Sequence, residues 1–167
     1  PEAVRLAPRL VPFITYDRMK WSDPDLARLG KAHTEAWAAK AAVLGWYDYI
    51  YGGQFYLMPR VYPRAMADYL RYGYAQGVRH YYAEAYPSGD WHEGPKLYVA
   101  LKLLWDPAQD VEAILRDWYQ SAVGPAAAPA LARYFDFWEG FWTRRVLTTG
   151  WFRNNGNRQY LDFGSSA

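Results

Sequence analysis

The sequence predicts an α/β fold: the carboxyl-terminal part of a (β/α)8 TIM-type barrel, with about three parallel strands, followed by a helical cap. Three observations predict it. The first half alternates short apolar runs with helical stretches of about a dozen residues or more, the spacing that parallel strands with right-handed crossovers require. Those apolar runs lack clean polar alternation, as expected when both faces of a sheet are covered. Beyond residue 93 the pattern turns to helices alone. Three strand–helix units cannot close a barrel, since eight of them occupy about 250 residues. The chain therefore divides into a barrel-type βαβαβ segment over 1–93, a helical segment packed on it over 94–147, and an irregular tail over 148–167. A small open sheet with its own helices is the alternative.

The elements follow in order. Leu10 to Asp17 is an apolar extended run. Ser22, Asp23 and Pro24 then start a helix, a capping side chain followed by proline at the first helical position, and an alanine-rich helix continues to about Leu44. Gly45 to Tyr51 is the second strand, stopped by Gly52 and Gly53. A helix over about Tyr62 to Gln76 places Met66, Tyr69, Leu70 and Gly73 on one face. Gly77 closes it, because glycine accepts the left-handed cap conformation. Val78 to Glu84 is the third strand, with His80 read as a core residue. Gly94 to Leu104 is a helix whose stripe is Leu97, Leu101 and Leu104. Asp106 and Pro107 start another, with Val111, Ile114, Leu115, Trp118 and Ala122 inward, and Gly124 ends it. A last helix over about Ala126 to Arg145 turns Leu131, Tyr134, Phe135, Trp138 and Phe141 inward.

Composition narrows the function. Net charge is +2 and no block of Lys or Arg forms a patch, so a nucleic-acid partner is not expected. No apolar run approaches the roughly 18 residues of a membrane span. Cysteine is absent, which excludes disulfides, thiolate metal sites and a cysteine nucleophile. His33, His80 and His92 have no metal-ligand spacing, Gly52-Gly53 lacks the spacing and the lysine of a phosphate loop, and no nucleophile elbow is present. Neither metal nor cofactor is expected. Aromatic residues reach 19%, with 9 Trp and 16 Tyr. Most must be core, but Tyr and Trp carry a polar handle, and such an excess suits clefts that stack sugar rings. The chain opens on Pro1-Glu2-Ala3-Val4 and reads as a piece of a longer protein, whose remainder is then a partner. Three parallel strands leave two free edges, so the piece alone is expected to aggregate or dimerise.

The runs Trp46-Tyr47-Asp48-Tyr49, Met58-Pro59, Ala67-Asp68-Tyr69, Gly77-Val78 and Ala83-Glu84 carry a resemblance. So do Tyr98 through Pro107, with its Leu-Leu-Trp-Asp-Pro run, and Val123-Gly124-Pro125-Ala126-Ala127. Over about residues 10 to 140 the chain resembles a bacterial glycoside-hydrolase-like domain family of unassigned activity. That family occurs in large, mostly exported proteins, often beside segments like the amino-terminal domain of α-glucuronidases. The resemblance implies a glycoside-hydrolase-type barrel, a carbohydrate substrate or ligand, and a periplasmic or extracellular location. The family supplies no catalytic residues to carry over.

Site candidates therefore come from the residues themselves. In parallel sheets and barrels, chemistry collects at the carboxyl ends of the strands, and glycoside hydrolysis usually needs two carboxyl groups there. The strand ends offer Glu84, Asp48 and Asp17 as catalytic candidates. Glu84 leads, because it closes the best-defined strand. Asp48, inside a strand, equally suits a buried partner of backbone or Arg, and Asp17 equally suits a turn. Trp91, His92, Tyr56, Tyr47 and Tyr16 are the substrate-binding candidates. Glu84 as a structural anchor would pair with Arg79 or Lys96. A non-catalytic carbohydrate-binding or scaffold module of a larger exported protein, and a helical interaction domain with purely structural aromatics, are the competing readings.

Overall fold

The computed structural model describes residues 6–51, 59–85 and 93–148. They form an α/β fold with one parallel sheet. Strand β1 is Phe13–Thr15, helix α1 is Pro24–Ala38, and β2 is Leu44–Tyr49. Helix α2 is Pro63–Ala75, β3 is Val78–Glu84, α3 is Lys96–Trp105, and α4 is Val111–Gly140. The sheet order is β1-β2-β3, and both pairings are parallel. The strand–helix–strand–helix–strand succession expected from the sequence is therefore present.

Local chemistry sets the boundaries. Asp23 caps α1, its Oδ1 accepting from the N–H groups of Asp25 at 2.9 Å and Leu26 at 3.2 Å, with Pro24 in the first helical position. Gly77 closes α2 at a φ of 86°, the left-handed conformation that glycine adopts without steric cost. Gly124 has φ 78° and ψ 162°, so α4 is two helical segments meeting at a break. Two elements are shorter than the sequence suggests. β1 covers only Phe13–Thr15, because the chain then turns into a 3-10 helix over Arg18–Ser22. α1 stops at Ala38, several residues before Leu44 enters β2.

Register decides which side chains share a face. Trp46 pairs with Ile14 and Tyr81, and Asp48 with Ala83. These point toward the helices, where the fully buried Trp46 ring meets Trp21 edge-on at 5.6 Å and Tyr69 at 6.2 Å. The intervening positions point the other way: Phe13 beside Gly45, Tyr47 beside Tyr82, and Tyr49 beside Glu84. Met66, Tyr69, Leu70 and Gly73 of α2 are all buried, as their spacing predicts.

The inward stripe of α3 differs from expectation. Leu101 and Leu104 are exposed, and Lys96, Val99, Ala100 and Leu103 are buried instead. The helix is apolar almost all round, and its rotation follows Lys96, whose ammonium reaches the carbonyl of Arg60 at 2.8 Å. Tyr134 is also exposed, while Phe135 takes the core position and stacks on Tyr119 at 6.1 Å. Arg64 ties the start of α2 to α4, contacting Glu112 and Glu139 at 2.5 Å and Asp136 at 2.8 Å.

Gly73 is required by its neighbour. A Cβ there would lie 2.5 Å from the Trp46 ring, and that buried ring is already packed on Trp21, Tyr69 and the Arg18 guanidinium, so moving it disturbs them. Gly73→Ala should therefore destabilise the protein by about 1–3 kcal/mol, although helix propensity alone would favour alanine by up to about 1 kcal/mol. Urea unfolding measures this; a midpoint above that of the parent would refute the close packing of α2 on β2.

Candidate functional site

The carboxyl ends of the strands carry the three acids proposed from sequence, but the fold separates them. Glu84 closes β3 on the sheet face away from the helices. The Tyr47 hydroxyl, on the same face of β2, donates to Glu84 Oε1. The hydrogen bond to Glu84 holds the Tyr47 phenol well above its ordinary pKa, and the charge of the carboxylate, which disfavours a phenolate beside it, adds to the shift. The Tyr47 ring lies 4.8 Å from Tyr82 and 5.3 Å from Tyr49, which in turn lies 6.2 Å from Tyr51. Tyr82 is 55% exposed and Phe13 48% exposed. A carboxylate thus stands at the end of an open aromatic surface. Glu84 has neither Arg79 nor Lys96 as its partner. Arg79 donates to the carbonyls of Tyr74 and Val78, and Lys96 pairs with Glu93.

Asp48 lies on the opposite, helix-covered face and is fully buried. Its Oδ1 accepts from the N–H groups of Arg18 at 3.0 Å and Tyr49 at 2.9 Å, and its Oδ2 accepts from the Tyr81 hydroxyl at 2.9 Å. The Arg18 guanidinium stands 3.7 Å away. Burial pushes the Asp48 carboxyl up, with Arg18 pulling against it, and burial likewise pulls Arg18 down. Both shifts oppose charge, the signature of a desolvated pair. Arg18 also donates to the carbonyls of Ile14, Tyr16 and Tyr47 at 2.9–3.2 Å. It satisfies backbone oxygens where β1 and β2 end.

Asp17, mostly buried, is held by both carboxylate oxygens at 2.7 Å from Arg60. Arg60 also donates to the carbonyls of Tyr49 at 2.6 Å and Tyr51 at 2.9 Å. Burial would lower the Arg60 pKa, but Asp17 outweighs it and the group stays firmly charged. Tyr16 is half-buried, and burial, then Asp17 and Asp23, raise its hydroxyl. Trp91, His92 and Tyr56 lie outside the described residues. His80, expected in the core, is exposed on the open face, 6.4 Å from Phe13. Its register partner is Gly45, which offers no side chain to bury it.

The structure therefore brings together Glu84 and Tyr47 and sets Asp48 apart. Sequence reasoning missed Arg18 and Arg60, and it weighed Lys96 only as a partner of Glu84. Tyr82 was available from period-two spacing, two residues before Glu84 on the same face. The buried cations were not, since only tertiary partners explain them. Among the described residues, no group of three or more His, Cys, Asp or Glu could hold a metal ion, and no helix is long and apolar enough to cross a membrane.

Lys96 gives a pH-dependent signature. Burial pulls its ammonium down to about 8, with Glu93 at 2.5 Å pulling the other way. Between about pH 8 and the unfolded lysine value near 10.4, the unfolded chain binds more protons than the folded one. Stability should therefore rise with pH across that window. Above about pH 10 the sign reverses, because burial raises Tyr62, Tyr69 and Tyr81, and the unfolded chain then sheds protons the folded chain keeps. Urea midpoints should peak near pH 9–10, and Lys96→Met should shrink the rise to the part contributed by Lys20, which burial also pulls down. A steady decline from pH 8 upward would contradict the burial of a charged Lys96.

A domain family described as a domain of unknown function, DUF4838, matches residues 15–136. The match spans most of the chain, and the chain belongs to that family. No curated protein and no solved structure matches it.

Proposed function

We propose that this DUF4838 chain forms part of a carbohydrate-active site in a larger (β/α)8-type barrel, with Glu84 as a catalytic acid or base on a glycoside. The observation that carries the reading is the Glu84–Tyr47 pair on an open aromatic face at the carboxyl ends of parallel strands. Strands covered on one side by helices and, among the described residues, bare on the other suit a barrel wall, whose bare side is the interior and mouth. Tyr47 positions Glu84, and Tyr82, Tyr49 and Phe13 supply flat apolar surface for a sugar ring. A location outside the cytoplasm follows from the kind of protein the chain resembles.

One observation favours a second reading, a binding or scaffold module without hydrolysis. Asp48 faces the helices, and Asp17 is engaged by Arg60. Among the described residues neither candidate second acid joins Glu84 on the open face. A catalytic site then needs its second carboxyl group from elsewhere in the protein. A panel of aryl glycosides assayed with the longest soluble form of the protein tests the choice. Turnover that depends on Glu84 supports hydrolysis. Saturable sugar binding that depends on Tyr82 and Tyr47, without turnover, supports the module. Neither result with any sugar would exclude both.

A further inference from the structure

We propose that two copies of this chain pair along the outer edge of β3, antiparallel about a two-fold axis at Tyr82, so that each Glu84 meets the partner's His80. The ladder defines the free edge. Ile50 donates its N–H to the Glu84 carbonyl, and Trp46 and Asp48 pair with Tyr81 and Ala83. In a parallel ladder the N–H and C=O of one residue point to the same neighbour, and those of the next point away. Glu84, Tyr82 and His80 therefore spend their backbone groups on β2, and the N–H and C=O of Tyr81 and Ala83 point outward. The sheet ends at β3, so among the described residues no strand lies beside these four groups. From His80 to Glu84 the edge carries neither proline nor lysine, the residues that commonly keep such an edge single. Arg79, which the register skips, folds its guanidinium back onto the carbonyls of Tyr74 and Val78.

Self-complementarity decides the occupant. A two-fold pairing presents the same patch from both copies. With Tyr82 opposite Tyr82 of the partner subunit, Tyr81 and the partner's Ala83 exchange N–H···O bonds in both directions, and so do Ala83 and the partner's Tyr81. All four outward groups of each copy are then used once. The same register sets His80 opposite the partner's Glu84, twice. These pairs and the Tyr82 pair occupy the positions without ladder hydrogen bonds, where opposite side chains stand closest. His80 and Tyr82 are both exposed on the open face. An imidazole N–H can donate to a carboxylate in either charge state, and Glu84 has an oxygen to spare, since Tyr47 donates to Oε1. On the helix side the large Tyr81 faces the partner's small Ala83. Moving the axis to Tyr81 or Ala83 would set Glu84 opposite the partner's Val78 or the partner's Tyr82 and lose the pair. In the dimer the two open faces become one surface, with a carboxylate on each side of the Tyr82 pair. This inference goes beyond the barrel reading and does not use it, since a further barrel strand would take the same edge.

The test uses the whole 167-residue chain, followed by analytical ultracentrifugation at concentrations up to about 200 μM and by amide hydrogen exchange read by NMR. A monomer–dimer equilibrium is expected, with the N–H groups of Tyr81 and Ala83 protected in proportion to the dimer. His80→Glu sets like charges opposite each other twice and should weaken dimerisation roughly tenfold or more. The double swap of His80→Glu with Glu84→His rebuilds both pairs with their members exchanged, and should restore the affinity to within a few-fold of the parent. Should the double swap fail to fold, Tyr82→Lys, at an exposed position on the axis, is the substitute and should weaken dimerisation as His80→Glu does. A chain that stays monomeric at the highest concentration overturns the proposal. So does a dimer indifferent to His80→Glu or to Tyr82→Lys, or one that the folded double swap fails to restore. Protection of both amides in a monomer, of this chain or of a longer form of the protein, would give the edge to a strand of the same molecule and overturn it as well.

Discussion

Replacing Glu84 by glutamine is expected to lower glycoside turnover by roughly 10²–10⁴-fold, the usual contribution of a positioned general acid or base. The amide keeps the size of the side chain and can still accept from the Tyr47 hydroxyl, but it cannot exchange a proton. Sugar binding and melting temperature should stay close to those of the parent. The reason is the setting of the residue: Glu84 is part-exposed at a strand end, and its described side-chain partner is a tyrosine rather than a buried cation. Changes at such sites usually alter stability by no more than about 0.5 kcal/mol. Tyr47→Phe should give a smaller loss of turnover, since it removes a positioning contact and leaves the carboxyl group. If Glu84→Gln instead lowers the melting temperature and preserves turnover, Glu84 is a structural residue and the catalytic reading fails.

The opposite outcome is expected at Asp48. Asp48→Ala leaves the Arg18 guanidinium buried without its counter-charge, and it strips two backbone N–H groups and the Tyr81 hydroxyl of their acceptor. Removing one member of a buried pair costs about 3–5 kcal/mol, which for a chain of this size lowers the melting temperature by roughly 10 °C. Asp48→Asn should cost less, because the amide oxygen can still accept from the N–H groups of Arg18 and Tyr49, although Arg18 loses its counter-charge in both variants. Thermal unfolding followed by circular dichroism distinguishes the two. A cost below about 1 kcal/mol for the alanine variant would mean that the pair is hydrated. An asparagine variant that melts normally but loses all turnover would return Asp48 to the catalytic set.

The contrast between these two acids shows what the sequence makes legible. Strand order and direction follow from spacing: long helices between short apolar runs leave little choice but parallel crossovers, and Asp23, Gly77 and Gly124 mark element ends through their own backbone chemistry. Facing is harder. Trp46-Tyr47-Asp48-Tyr49 is aromatic on both sides, so hydrophobicity does not say which side meets the helices. The sheet resolves this through Gly73, whose missing Cβ admits Trp46, a pairing across a large sequence separation. α3 shows the same limit, with two apolar stripes and a buried lysine choosing between them. Arg18 and Arg60 are unreadable for a different reason. A lone arginine in sequence carries no sign that it will cap the carbonyls of strands up to 29 residues away.

The open sheet face has a calorimetric consequence. Heat capacity rises on unfolding mainly because apolar surface becomes hydrated, at about 12–15 cal/mol/K per residue in an ordinary domain. Phe13 and Tyr82 are already about half wet in the folded state, so they contribute only about half of their surface to that change. The isolated chain should therefore unfold with a heat-capacity increment, and a urea m-value, below those of a domain of equal length whose sheet is covered on both faces. Covering the same face, by further strands or by a bound sugar, would restore the missing increment and steepen the curvature of stability with temperature.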